Sequence, residues 1–139
     1  MHTFRELLLL SALLLSGCFA GLGDWERKLV GDYEIWRISG HDLELVKRTS
    51  EHSSVTIVGP EVYAVSWTKD VIFLQQEPMP PLQERNPKEP HGELRYYIFL
   101  VQGEELLGPF DEKGFAAACA EQGLAQPESW TVAKDLDLG

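Results

Sequence analysis

Hydrophobic and polar residues alternate over most of the chain after residue 30, with the two-residue period typical of β-strands. The predicted strands occupy residues 33–38, 43–48, 55–58, 61–67, 71–74 and 94–101. Glycine, proline and short polar clusters separate them, and residues 105–107 return after a turn. Residues 71–74, Val-Ile-Phe-Leu, include no polar residue, so we expect this strand to be buried on both faces.

One helix is predicted near the C-terminus, because both of its ends carry recognisable signals. Asp111 is suited to cap the N-terminus, and Gly123 is suited to the left-handed conformation that ends a helix. The residues that share its apolar face are Phe115, Ala118, Cys119 and Gln122. Residues 127–132 then add a last short strand.

The pattern as a whole predicts a single α+β domain over residues 31–132. Its expected architecture is an antiparallel β meander of about six strands with one C-terminal α-helix packed on it. A proline-rich loop at 77–93 holds most of the 8 prolines, which cannot donate hydrogen bonds to a sheet. Residues 133–139 are predicted to form a loose acidic tail.

The first residues have a different character. Arg5 precedes an apolar run at 7–15, and small residues follow it, which is the layout of a secretory signal. The order Leu15-Ser16-Gly17-Cys18 resembles the lipobox of bacterial lipoproteins. That resemblance implies a signal peptide at 1–17, cleavage between Gly17 and Cys18, and attachment of lipid and fatty acids such as palmitate to Cys18.

Two other interpretations of this segment remain open. A membrane-spanning helix needs about 20 apolar residues, and the run is about half as long. A plain cleaved secretory signal would leave Cys18 as an ordinary thiol. If the lipobox is real, residues 18–30 are the lipidated cysteine and a short tether. Since Phe19 rather than aspartate follows Cys18, the resemblance to Gram-negative lipoproteins implies the periplasmic face of the outer membrane.

The charge of the chain limits its partners. The net charge is −10, and loss of Arg5 and Glu6 with the signal would leave it unchanged. We do not expect a domain this acidic to bind nucleic acid, because that affinity depends on lysine and arginine contacts to phosphates. A basic protein is the partner that such a surface would attract, and the lipid bilayer would be contacted through Cys18.

The sequence predicts no catalytic residue, no metal site and no cofactor. His41, His52 and His91 lie in predicted turns or loops without the spacing of metal ligands, although a site assembled in space from His41 and His52 stays open. Cys119 lies on the apolar helix face, which is typical of an inert core thiol. No serine lies in a G-x-S-x-G elbow. We therefore do not predict an enzyme.

Aromatic residues on the strands suggest a binding face. The candidates are Tyr96, Tyr97 and Trp67, and the two adjacent tyrosines must point to opposite faces of their strand. Packing into the core is the favoured interpretation of these rings, and a partner-binding face is the alternative. The predicted function is that of a binding module. An inhibitor or immunity protein against a basic toxin or lysozyme-like enzyme is the alternative, and a hydrolase is the remote one.

Three short segments carry a second resemblance. They are Gly31-Asp32-Tyr33-Glu34-Ile35, Tyr96-Tyr97-Ile98, and Gly108-Pro109-Phe110 leading to Phe115. Together they resemble a family of small bacterial lipoproteins catalogued only as a domain of unknown function. These are turn and core residues, so the resemblance implies domain boundaries and no catalytic residue.

The lipobox interpretation gives a direct prediction. Replacing Cys18 by serine should abolish labelling of the protein by a radioactive fatty acid, because a serine hydroxyl cannot form the thioether to diacylglycerol. Cys119→Ser, the matched control, should label like the wild type. Label retained on the Cys18 variant would contradict lipidation at this residue.

Overall fold

The computed structural model describes residues 23–38, 42–78 and 92–138, which form nine β-strands, one α-helix and one 3-10 helix. The strands are β1 (Trp25–Val30), β2 (Tyr33–Ile38), β3 (Asp42–Ser50), β4 (Ser53–Val58), β5 (Val62–Trp67), β6 (Val71–Gln76), β7 (Arg95–Leu100), β8 (Glu105–Phe110) and β9 (Thr131–Val132). The helix α1 comprises Glu112–Glu121, and the 3-10 helix comprises Ala133–Leu138.

The strands form two antiparallel sheets. The first sheet has the order β1-β2-β3-β4, and the second has the order β8-β7-β6-β5-β9. The main core lies between them, where Ile35 and Leu45 of the first sheet meet Ile72 and Leu74 of the second. All four side chains are fully buried. Helix α1 covers the other face of the second sheet, so the molecule has three layers.

Strand β6 lies in the interior of this arrangement. All six of its residues are buried, which confirms the expectation for the apolar residues 71–74. Phe73 points to the helix, where its ring meets Phe115 edge to face at 5.8 Å between centroids. Ile72 and Leu74, on the alternate face, pack toward the first sheet.

Helix α1 is capped as the sequence predicts. The Asp111 carboxylate accepts a hydrogen bond from the Gly114 N–H at 2.7 Å, which satisfies one of the free donors of the first turn. At the other end, Gly123 is left-handed with a φ of 68°. The Leu124 N–H then donates to the Cys119 carbonyl at 2.8 Å. Both predicted helix ends are confirmed.

The expected single meander of about six strands is wrong, although antiparallel strands and one packed helix are both found. Gly59-Pro60 does not connect two paired strands; it carries the chain from β4 in the first sheet to β5 in the second. A turn motif looks the same in sequence whether the next strand pairs with the last one or starts a new layer. The described residues form nine strands rather than about six: the segment at 105–107 and the last short strand are found as β8 and β9, and β1 was not predicted.

The structure also differs from the predicted tether and tail. The range 18–30 contains strand β1, which lies at the edge of the first sheet. Its charged residues, which are common on edge strands, interrupt the hydrophobic alternation by which the other strands were predicted. Residues 133–138 are not loose: Ala133 is fully buried and Leu136 packs against the main core. Arg27 of β1 holds this segment by donating to the carbonyl oxygens of Leu136 and Asp137, both at 2.9 Å.

The packing of helix α1 can be tested by mutation. Phe115→Ala should lower the free energy of unfolding by about 3 kcal/mol, because it leaves a cavity against the second sheet. Asp111→Ala should lower it by about 1 kcal/mol through loss of the cap. Lys113→Ala, on the exposed side of the same helix, is the control and should change little. Urea denaturation measures all three, and equal small losses would contradict the packing described here.

Candidate functional site

The two sheets are aligned, so the sandwich has two distinct ends. At one end, here called the turn end, the Tyr33 hydroxyl of the first sheet donates to the Glu104 carboxylate of the second at 2.7 Å. At the other end, here called the base, β1 begins and the Leu43 N–H donates to the Glu61 carboxylate at 3.0 Å. The chain therefore enters the described fold at the base.

The turn end carries four tight turns. They are formed by residues 31–32, 51–52, 68–70 and 101–104. Each turn contributes an exposed carboxylate, and these are Asp32, Glu51, Asp70 and Glu104. Trp67 ends β5 beside them and is 37% exposed. The turn end thus combines negative charge with an accessible aromatic ring.

Glu104 joins the two sheets at this end. It lies in the turn between β7 and β8 with a φ of 50°, and it forms an ion pair with Lys47 of β3. The hydrogen bonds from Lys47 and Tyr33 lower the pKa of its carboxyl group. Burial and the hydrogen bond to Glu104 raise the pKa of Tyr33 to about 12. The Tyr33 ring also meets Phe99 of β7 at 4.8 Å between centroids, so two contacts to the second sheet hold this side chain.

The outer face of the first sheet is organised by Arg48. Its guanidinium donates twice to Glu34, at 2.7 and 3.1 Å, and also contacts Glu26. It lies 5.1 Å from the centre of the Trp36 ring, within the range of a cation–π interaction. Val46 shares this face and is fully buried. The hydrogen bonds from Arg48 lower the pKa of Glu34, against the opposing effect of burial.

The base holds an open cleft of about 530 Å³. Its lining residues come from the start of β1 and the end of β2, and they are Asp24, Trp25, Glu26, Trp36, Arg37 and Ile38. Trp25 pairs with Arg37 across the two strands, which places them on one face, while Trp36 and Ile38 belong to the other. The cleft therefore wraps around the edge of the sheet.

The structure does not bring the predicted binding residues onto one surface. Tyr96 faces the helix and stacks on Phe115 at 5.0 Å. Tyr97 points the other way and packs against the main core, where its hydroxyl donates to Gln76 at 3.0 Å. Trp67, at the turn end, is the most exposed of the three candidates. Gly17 and Cys18 lie outside the described residues.

Among the described residues, the other candidate groups do not come together into a catalytic or metal-binding site. Cys119 is buried and burial raises its pKa, while His52 is exposed in the turn between β3 and β4. His41 and His91 lie outside the described residues. Within the described ranges, no group of three or more histidine, cysteine, aspartate or glutamate side chains could hold a metal ion. The same ranges contain no helix that is long and apolar enough to cross a membrane.

Sequence reasoning missed the contacts made by Arg48 and Glu104. The alternation along β2 and β3 places Glu34, Trp36 and Arg48 on one face, which was a usable signal. No comparable signal pairs Glu104 with Tyr33, because the two lie in different sheets and 71 positions apart.

The Glu34–Arg48 pair predicts an acid dependence of stability. Because the folded-state pKa of Glu34 is lowered, the pair stabilises the fold above the ordinary value of 4.5, and this stability is lost as the pH falls through the lowered pKa. Arg48→Met should be less stable at neutral pH and lose less stability on acidification. Urea denaturation at several pH values measures this, with Lys69→Met as the control. Parallel pH curves for Arg48→Met and the wild type would contradict it.

Comparisons with known proteins give one match. No curated protein and no solved structure matches the chain. A family model described as a protein of unknown function (DUF3997) matches residues 30–127, from the end of β1 to beyond α1. The match covers more than half of the chain and confirms the expected resemblance to a family without an assigned function. The protein is therefore a member of the DUF3997 family.

Proposed function

We propose that this protein is a lipid-anchored protein of the cell envelope that acts by binding a basic partner in the periplasm. Lipidated Cys18 would hold its base against the outer membrane, and the turn end would present the binding surface. The observation that carries the proposal is the polarity of the sandwich: the chain enters at the base, and Trp67 and the four turns that each carry an exposed carboxylate lie at the opposite end.

The dimensions agree with this orientation. A six-residue strand spans about 20 Å, so the turn end lies roughly that far beyond the base. An anchor attached at the base leaves the turns accessible to a soluble partner.

The charges favour a basic partner. Arg48 and Lys47 are already engaged by Glu34, Glu26 and Glu104, so they neutralise carboxylates of the fold rather than projecting as free cations. The chain as a whole carries a net charge of −10. Such a field accelerates association with a positively charged protein and does so less at high salt.

The turn end can be tested with a charge reversal and a matched control. The full-length protein in phospholipid vesicles should capture basic proteins from periplasmic extract. Asp70→Lys should slow association with a captured partner several-fold, because it reverses a charge at the proposed surface. Glu93→Lys makes the same change in net charge at an exposed residue just before β7, at the base, and should have a smaller effect.

Salt provides the second measurement. Exposed charges are screened beyond about 8 Å at physiological ionic strength, so the wild-type association rate should fall as salt rises. The rate for Asp70→Lys should depend on salt less steeply. Equal rates for Asp70→Lys and Glu93→Lys would show that the turn end is not the binding surface.

A further inference from the structure

We propose that the cleft at the base is a membrane-contact site: Trp36, Arg37 and the exposed part of Trp25 insert among the phospholipid head groups of the bilayer that holds Cys18. This inference rests on the proposed function, because it requires the lipid anchor. It adds a second, non-covalent attachment that fixes the orientation of the domain on the membrane.

The length of chain before the fold brings the cleft to the membrane. Asp24 lines the cleft and lies six residues after Cys18. A fully extended chain of six residues spans at most about 20 Å, and any other conformation is shorter. The lipid on Cys18 therefore keeps the base within that distance of the bilayer surface, while the turn end points away from it.

The same distance argues against a folded protein as the occupant. A compact domain of about 100 residues has a radius of gyration near 13 Å, so its diameter exceeds the available gap. The head groups themselves are the partner within reach of the cleft.

The apolar residues of the cleft suit the interfacial region of a bilayer. Trp25, Trp36 and Ile38 are each half-buried and contribute apolar surface to the cleft. Tryptophan is enriched at the level of the head groups, where its ring is apolar and its N–H can find an acceptor. The Trp25 ring also packs against the main core and its N–H is buried, so only the exposed part of this ring faces the cleft.

Arg37 supplies the positive charge. Two other arginines of the first sheet are engaged: Arg27 holds the 3-10 helix and Arg48 holds Glu34. Within the described part of the chain, no hydrogen bond or ion pair of the Arg37 side chain is found. A guanidinium matches the geometry of a phosphate group. Two carboxylates also line the cleft, Asp24 and Glu26, and Glu26 shares Arg48 with Glu34. Zwitterionic head groups, which carry a cation beside each phosphate, therefore suit the cleft better than anionic ones.

Tryptophan fluorescence can test this contact in the full-length lipidated protein. The protein is reconstituted into phosphatidylcholine vesicles, with and without bromine atoms on the acyl chains next to the glycerol. Bromine should quench part of the wild-type emission. Trp36→Phe should lose much of that quenched component, and Trp25→Phe combined with Trp36→Phe should lose most of it. Trp67→Phe is the control and should retain it, because Trp67 lies at the turn end.

A charge variant makes a second, independent measurement. Arg37→Glu should reduce the quenching of tryptophan emission by bromine. Lys69→Glu, the same change in charge at the turn end, should leave the quenching unchanged. Circular dichroism identifies variants that fold like the wild type. If Trp25→Phe perturbs the core, Trp36→Phe and Arg37→Glu decide the question.

The outcomes separate this inference from the proposed function. Protein that carries a fatty acid and floats with the vesicles, but shows no quenching by bromine, would overturn the membrane-contact site alone. Quenching that is the same in the wild type and the double tryptophan variant would also overturn it. Protein that neither incorporates a fatty acid nor floats with vesicles would overturn the anchor and this inference together.

Discussion

Strand β6 is buried on both faces, and the rest of the fold depends on keeping water away from both of them. The first sheet covers Ile72 and Leu74, and helix α1 covers Phe73. The polar end of the strand is satisfied locally, since the Gln76 amide donates to the Pro60 carbonyl at 3.0 Å and accepts from Tyr97. A buried amide without these partners would be strongly destabilising. The molecule has three layers because one face of β6 is covered by the first sheet and the other by helix α1.

Positive charge is scarce in this chain, and the structure uses it to stabilise the fold. Arg27 holds the 3-10 helix, Arg48 holds the outer face of the first sheet, and Lys47 holds Glu104 between the sheets. The exposed carboxylates of the turns are left in excess. The distribution of charge is therefore a property of the fold as well as of the composition.

The parts of the fold that depend on local sequence were predictable. The helix followed from Asp111, Gly123 and the apolar face, and the burial of β6 followed from four consecutive apolar residues. The division into two sheets was not predictable, because strand pairing is decided by contacts between distant residues. Strand β1 was missed for the same reason: its charged residues indicate a tether until Glu26 and Arg27 are known to pair with Trp36 and Ile35 of β2.

The same distinction between local sequence signals and contacts of distant residues applies to the candidate site. Alternation placed Tyr96 and Tyr97 on opposite faces, as the sequence indicates. What each face meets was not available from the sequence, since the helix over Tyr96 and the first sheet over Tyr97 are both tertiary features. The base and the turn end appear only once the two sheets are aligned by Tyr33 and Glu104.

The contact of Arg27 with Leu136 and Asp137 joins nearly the first and the last described residues. Strand β9 and the buried Ala133 also come from the final residues and complete the second sheet and the main core. Removing residues 131–138 would uncover one edge of the second sheet and leave the Arg27 side chain without its two carbonyl acceptors. The two ends of the described range are therefore needed together for the sandwich to close.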